Sequence, residues 1–186
     1  MPSAAKIQAW TGIPFLELYR TCNYHHWTDY GGLCIVSANL VISDAEVDFL
    51  RELTRQKVAF IVVGLSAAAL QGAPMVTQDI DLWFRDIRAK GIQKALKKVG
   101  GTWVPSINLH PPLFVGPSVE LFDIVLTVHG IGPFDEELNH TVDISLGNFT
   151  VKVLRLDRII ASKKFLNREK DRMVLPALKA AAATQK

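Results

Sequence analysis

Apolar and polar positions follow a regular pattern from Ser43 onward. Ser43 and Glu46 stand at the spacing of a capping box, in which the hydroxyl and the carboxylate satisfy free N–H groups at a helix start. Val47, Leu50 and Leu53 come next at helical spacing. The pattern therefore predicts that a helix begins at this point.

The rest of the chain alternates between strand and helix patterns, with Pro- or Gly-containing segments between them. The predicted elements are a buried strand at 58–63, a helix at 66–70, a strand at 78–84, a basic amphipathic helix at 87–99, a strand at 119–128 after a Pro-rich loop, a hairpin at 143–154 that turns at Gly147-Asn148, and helices at 157–166 and from 168 onward, with a kink at Pro176. This order predicts an α/β (α+β) protein with a mixed sheet flanked by helices and with C-terminal helices.

The first 42 residues differ from the rest of the chain, because they contain both cysteines and no sustained period. We expect an N-terminal appendage at 1–42, whose order and role the sequence leaves open, and one domain at 43–186. Zinc binding by Cys22, His25, His26 and Cys34 is a weak alternative, since their spacing is irregular.

Composition bounds the class of protein. The 186 residues are 49% hydrophobic and 21% charged, which is ordinary for a soluble globular protein. Two cysteines are too few for a disulfide framework, and no apolar run suggests a signal sequence or a membrane span. We expect a cytoplasmic protein. A net charge of +3 suits a phosphate-bearing partner without requiring one.

Three aspartates are the candidate metal-binding residues. Asp79 and Asp81 are two apart in a predicted strand, so their carboxylates should share one face, and Asp123 lies within an otherwise apolar strand. Hard oxygen ligands of this kind can hold Mg²⁺. An equally good explanation of the first two residues is that Asp79 only ends a loop and that Asp81 is exposed on an edge strand. Asp123 favours a metal site with two-metal phosphoryl chemistry.

Other polar segments carry less information. The turn Gly64-Leu65-Ser66 leads from a strand into a helix, where free N–H groups could bind an anion, although such a tripeptide is more often an ordinary tight turn. The helix with Lys90, Lys94, Lys97 and Lys98 could guide a nucleic acid, but a solvated face is the better explanation. No hydrolase elbow surrounds Ser66.

Taken together, the segments 63–84, 122–136 and 156–171 resemble the nucleotidyltransferase superfamily, the fold shared with DNA polymerase β. More narrowly, they resemble bacterial nucleotidyltransferase-like proteins related to abortive-infection and toxin–antitoxin systems. The resemblance covers about residues 43–178, and its last segment matches in Ser162-Lys163, Arg168 and Lys170-Asp171.

The resemblance implies an enzyme that transfers a nucleoside monophosphate from a nucleoside triphosphate to an acceptor hydroxyl. It implies Asp79, Asp81 and Asp123 as catalytic and metal-binding residues for Mg²⁺ or Mn²⁺. The nucleotide-binding residues that it implies are Gly64, Ser66, Thr77, Lys163 and Lys170. We expect the strands of Asp81 and Asp123 to be direct neighbours, with the Gly64–Ser66 turn at the same cleft.

Two positions depart from the family pattern. Leu65 stands where the family usually has a second glycine, and Met75 stands where relatives often have an arginine. Both changes weaken phosphate binding, and they support an alternative in which the domain is a non-catalytic module that acts through a cognate protein partner. The residues leave open the acceptor (an RNA end, a protein hydroxyl or a small molecule), the preferred base and the oligomeric state. Lys170-Asp171 could also be a structural ion pair.

Overall fold

A computed structural model of the chain describes residues 33–37, 40–106 and 111–185, which belong to one unit. The predicted appendage at 1–42 lies mostly outside these residues, so its boundary stays a prediction. In chain order the described elements are β1 (Leu33–Ser37), β2 (Leu40–Ser43), α1 (Asp44–Arg55), β3 (Phe60–Val63), α2 (Gly64–Leu70), β4 (Ile80–Phe84), α3 (Lys90–Lys98), β5 (Thr102–Val104), β6 (Leu113–Val115), β7 (Phe122–Val125), α4 (Phe134–Glu137), a 3-10 turn (Leu138–His140), β8 (Thr141–Leu146), β9 (Phe149–Leu154), α5 (Leu156–Leu166) and α6 (Glu169–Thr184).

The central sheet has five strands in the order β7-β4-β3-β9-β8. Strand β4 pairs antiparallel with β3 and parallel with β7, and β9 pairs parallel with β3 and antiparallel with β8. The predicted architecture, a mixed sheet flanked by helices with two helices at the C-terminal end, is confirmed. Two small antiparallel pairs, β1-β2 and β5-β6, lie outside this sheet.

The two faces of the sheet differ in chemistry because side chains alternate along a strand. One face is apolar: Leu82 pairs in register with Val62 and Ile124, and the neighbouring Phe122 packs edge-on against Phe49 of α1 with ring centroids 5.0 Å apart. The opposite face carries Asp81, Trp83 and Asp123. Phe134 of α4 packs edge-on against Trp83 on this face, with ring centroids 5.3 Å apart.

Local signals in the sequence are confirmed where the interaction spans only a few residues. The Ser43 hydroxyl accepts from the Glu46 N–H at 3.4 Å, and the Ser43 N–H donates to Glu46 Oε2 at 2.7 Å, which completes the capping box. The hairpin turns at Gly147-Asn148, with Leu146 opposite Phe149.

Several predicted boundaries are wrong. Strand β4 begins at Ile80, so Asp79 belongs to the preceding loop. Strand β7 is shorter than the predicted 119–128, because a turn in which the Val119 N–H donates to the Gly116 carbonyl at 2.9 Å occupies its start. The Pro-rich segment predicted as a loop contains strand β6, which pairs with β5 just before that segment. Helix α6 includes Pro176, and the predicted kink at this residue stays a prediction. In the described part of the chain, no helix combines the length and apolar character needed to cross a membrane.

Candidate active site

The turn between β3 and α2 is built around Gly64. Its φ is +67°, in the left-handed region that favours glycine. A Cβ at this position would lie 1.9 Å from Asp81 Oδ2. The carboxylate of Asp81 therefore lies directly against the backbone of Gly64, and any side chain at position 64 would displace it.

The side chain of Ser66 is fully buried at the same turn. Its hydroxyl donates to the Val63 carbonyl at 2.9 Å and accepts from the Asp81 N–H at 3.2 Å. Val63 and Asp81 are opposite each other in the β3-β4 pair. The hydroxyl thus bridges the two strands at the end of their pairing. The family resemblance implies phosphate binding by Ser66, whereas both of these hydrogen bonds are internal.

Asp81 and Asp123 are register partners on neighbouring parallel strands, so their side chains leave the sheet on the same side. This confirms the expectation that the two strands are direct neighbours. Strand β7 lies at the edge of the sheet, and Asp123 is exposed, whereas Asp81 is half-buried. Asp123 thus lies in an otherwise apolar strand, as expected, but its side chain is exposed to solvent.

The three carboxylates influence one another. Burial, together with the charges of Asp123 and Asp79, raises the pKa of Asp81 to about 6, although the charges of Lys163 and Lys170 act to lower it. Burial also raises the pKa of Asp123, together with the charge of Asp79. Although Asp79 lies in the loop, it remains close enough to act on both of its neighbours.

Lys163 of α5 is held by Asp171 of α6. Lys163 Nζ lies 3.1 Å from Asp171 Oδ1, and the Arg168 Nε donates to Asp171 Oδ2 at 2.6 Å. Asp171 is fully buried, and hydrogen bonds from Arg168, followed by one from Lys163, hold the pKa of this carboxyl well below its usual range. A Lys170–Asp171 ion pair was one expectation. In the described residues, the ion pairs of Asp171 are instead formed with Lys163 and Arg168.

The loop before β4 contributes Thr77, whose hydroxyl donates to the Asp79 carbonyl at 3.2 Å. Met75, the residue that replaces the family's arginine, is buried, and Leu65 is half-buried. Lys170 is exposed on the first turn of α6.

The four lysines of α3 (Lys90, Lys94, Lys97 and Lys98) are exposed, while Ile92, Ala95 and Leu96 of the same helix are buried, as a solvated helix face requires.

As they are placed, no group of three or more His, Cys, Asp or Glu side chains among the described residues is arranged to hold a metal ion. The zinc candidates Cys22, His25 and His26 lie outside the described residues, as does the side chain of Cys34. Asp81, Asp123 and Asp79 nevertheless offer oxygen ligands on a shared surface. Burial raises the pKa values of both Asp81 and Asp123, as do the charges of Asp123 and Asp79 for Asp81 and the charge of Asp79 for Asp123, and a hard divalent cation relieves such repulsion.

The structural roles of two residues, Glu137 and Asp171, were missed from the sequence. Glu137 is buried and accepts from the Arg158 Nε at 2.8 Å and from the Gly132 N–H at 2.9 Å. Burial would raise the pKa of Glu137, but these hydrogen bonds outweigh it and lower the pKa. Asp171 was noticed only as a neighbour of Lys170. Its place three residues after Arg168, in the first turn of a helix, is the local signal for an N-terminal cap.

No protein-family model and no curated protein matches the chain. Among solved structures, the chain is similar to a crystal structure of ANT(2")-Ia in complex with adenylyl-2"-tobramycin, with a TM-score of 0.49 and 12% sequence identity, over 75% of this chain and 87% of that chain.

Proposed function

We propose that the protein transfers a nucleoside monophosphate from a nucleoside triphosphate to an acceptor hydroxyl, with release of pyrophosphate. The observation that carries this proposal is the register pairing of Asp81 with Asp123, which puts both side chains on one face of the sheet. Two carboxylates side by side, with the Lys163 and Lys170 charges acting on Asp81, combine cation ligands with countercharges for phosphate.

Asp81 and Asp123, with Asp79 from the preceding loop, would hold Mg²⁺ or Mn²⁺. Their donor chemistry fits a hard cation, because all three offer carboxylate oxygens and the pKa of Asp81 is raised to about 6 by burial and by the neighbouring negative charges. When bound, such an ion would neutralise this charge and polarise a phosphoryl oxygen.

Side chains of the protein accept the proton of the acceptor hydroxyl and counter the negative charge of the nucleotide. As the acceptor oxygen bonds to the α-phosphorus, Asp123 takes the hydroxyl proton, for which its exposed position suits it. The bond from the α-phosphorus to the bridging oxygen breaks, and its electron pair leaves with pyrophosphate. Lys163 and Lys170 counter the phosphate charge, and Thr77 and Gly64 line the approach of the nucleotide.

Calorimetric titration with each of the four Mg²⁺–nucleoside triphosphates tests binding. We expect saturable heat with the wild type, and no detectable binding at millimolar nucleotide in well-folded protein would overturn the proposal. A transfer assay with labelled nucleotide and extracted total RNA, protein and small molecules as acceptors then tests chemistry. The variants are Asp81→Asn and Asp123→Asn. The matched control is Asp143→Asn, an exposed carboxylate on β8 that pairs with Lys152.

We expect label transfer from the wild type and the control, and its loss in both site variants. Equal labelling by the wild type and by Asp81→Asn would instead support the alternative, a nucleotidyltransferase-like module without catalysis that acts through a protein partner, as in a toxin–antitoxin or defence pair. Leu65 and Met75, which depart from the pattern of the resembled family, support this alternative.

A further inference from the structure

We infer that Ser66 is a positioning residue, which holds the backbone of Asp81 in place, and that it is not a phosphate ligand. The hydroxyl lies between the Val63 carbonyl and the Asp81 N–H, at 2.9 and 3.2 Å, and the side chain is fully buried. For its kinetic consequences this inference rests on the proposed function, but the structural link between Ser66 and Asp81 does not.

The Ser66 hydroxyl cannot hold the backbone and bind a phosphate at the same time. A serine hydroxyl has one hydrogen to donate, and here it is donated to the Val63 carbonyl. A phosphate oxygen accepts hydrogen bonds, so it would need that same hydrogen. To bind phosphate, Ser66 would have to leave its buried position and give up its hydrogen bond from the Asp81 N–H, and the loss of a partner for a buried N–H is costly.

Ser66 and Gly64 therefore hold Asp81 from two sides. The Ser66 hydroxyl holds its backbone N–H, and the absence of a side chain at Gly64 makes room for its carboxylate. The strand–glycine–helix turn thus acts as a support for the carboxylate that pairs in register with Asp123. A small displacement of a group that binds reacting atoms is enough to slow catalysis strongly.

The test compares Ser66→Ala with Thr54→Val. Thr54 is the matched control, because its hydroxyl also donates to a backbone carbonyl, that of Leu50 at 3.0 Å, in α1. Amide hydrogen exchange of Asp81 is followed by NMR, with Leu82 and Val62 as internal references in the same strands. We expect exchange at Asp81 to be roughly tenfold faster in Ser66→Ala, beyond any change at the two reference amides. Thr54→Val should leave the ratio of Asp81 to the reference amides unchanged.

Steady-state kinetics of the same variants separate a positioning role of Ser66 from a role in phosphate binding. We expect kcat to fall about tenfold or more with the KM for Mg²⁺–nucleotide unchanged. If Ser66→Ala does not fold, Ser66→Cys keeps the volume and weakens both hydrogen bonds, and the same two results are expected with smaller amplitude. A raised KM at constant kcat, or Asp81 exchange equal to that in Thr54→Val, would overturn the inference. If the wild type transfers no nucleotide, the proposed function fails while the exchange measurement still decides the role of Ser66.

Discussion

The Asp81 carboxylate lies against Gly64 so closely that a Cβ at position 64 would stand 1.9 Å from Asp81 Oδ2. Two separate requirements for glycine coincide here, a left-handed φ of +67° and the absence of a side chain. The first requirement is common in turns, but the second links the turn directly to the candidate catalytic residue.

Gly64→Ala should be much more destabilising than an ordinary left-handed glycine substitution. The matched control is Gly72→Ala, since Gly72 has a φ of +84° but no heavy atom within 4 Å of a Cβ. We expect Gly72→Ala to lower the free energy of unfolding by about 1 kcal/mol through backbone strain, and Gly64→Ala by about 3 kcal/mol, because the Asp81 carboxylate must also move. Urea denaturation measures both, and equal losses would contradict the close contact.

Asp171→Asn should remove the residue that anchors Lys163. Asp171 is fully buried and pairs with two cations, so we expect a loss of roughly 3 kcal/mol in the free energy of unfolding. The exposed pair between Asp143 and Lys152 is the control, for which Asp143→Asn should cost at most about 1 kcal/mol. A loss for Asp171→Asn no larger than the control's would mean that the buried network contributes little.

Asp171 should also contribute to the pH dependence of stability at acidic pH. The pKa of Asp171 is depressed in the folded protein, chiefly by the Arg168 hydrogen bond, so the unfolded chain takes up its proton first as the pH falls. The stabilisation is therefore fully present above the unfolded pKa of about 4 and is lost as the pH falls below it toward the folded pKa. The difference in unfolding free energy between the wild type and Asp171→Asn should be constant at about pH 5–8 and shrink below about pH 4. A difference that widened on acidification would refute this linkage.

Divalent metal should stabilise the wild type through the aspartates. At a concentration of Mg²⁺ or Mn²⁺ about ten times the Kd, mass action gives about 1.4 kcal/mol and raises Tm by roughly 3–5 °C. Asp81→Asn and Asp123→Asn should lose this increase, whereas Asp143→Asn should keep it. Thermal unfolding with and without a chelator measures the effect, and an equal rise in all four proteins would place the metal elsewhere.

Short-range interactions were predictable from the sequence. The capping box of Ser43 and Glu46 and the turn at Gly147-Asn148 involve neighbours in the chain, whose geometry is nearly independent of the rest of the protein. Periodicity also separated helices from strands well enough to predict a mixed sheet. The adjacency of the Asp81 and Asp123 strands was expected from a family resemblance, because no local pattern determines which strands pair.

Only the tertiary structure decided the details of the site. Whether Ser66 faces a ligand or the interior depends on how α2 packs on β4, and the pairing of Asp171 with Lys163 depends on how α5 meets α6. Asp79 falls outside β4 because pairing with β7 begins at Ile80. The sequence by itself determined the elements and most of the charged residues available to the site. Burial and long-range pairing determined their roles, because the free energy of a polar group depends on which partners replace water around it.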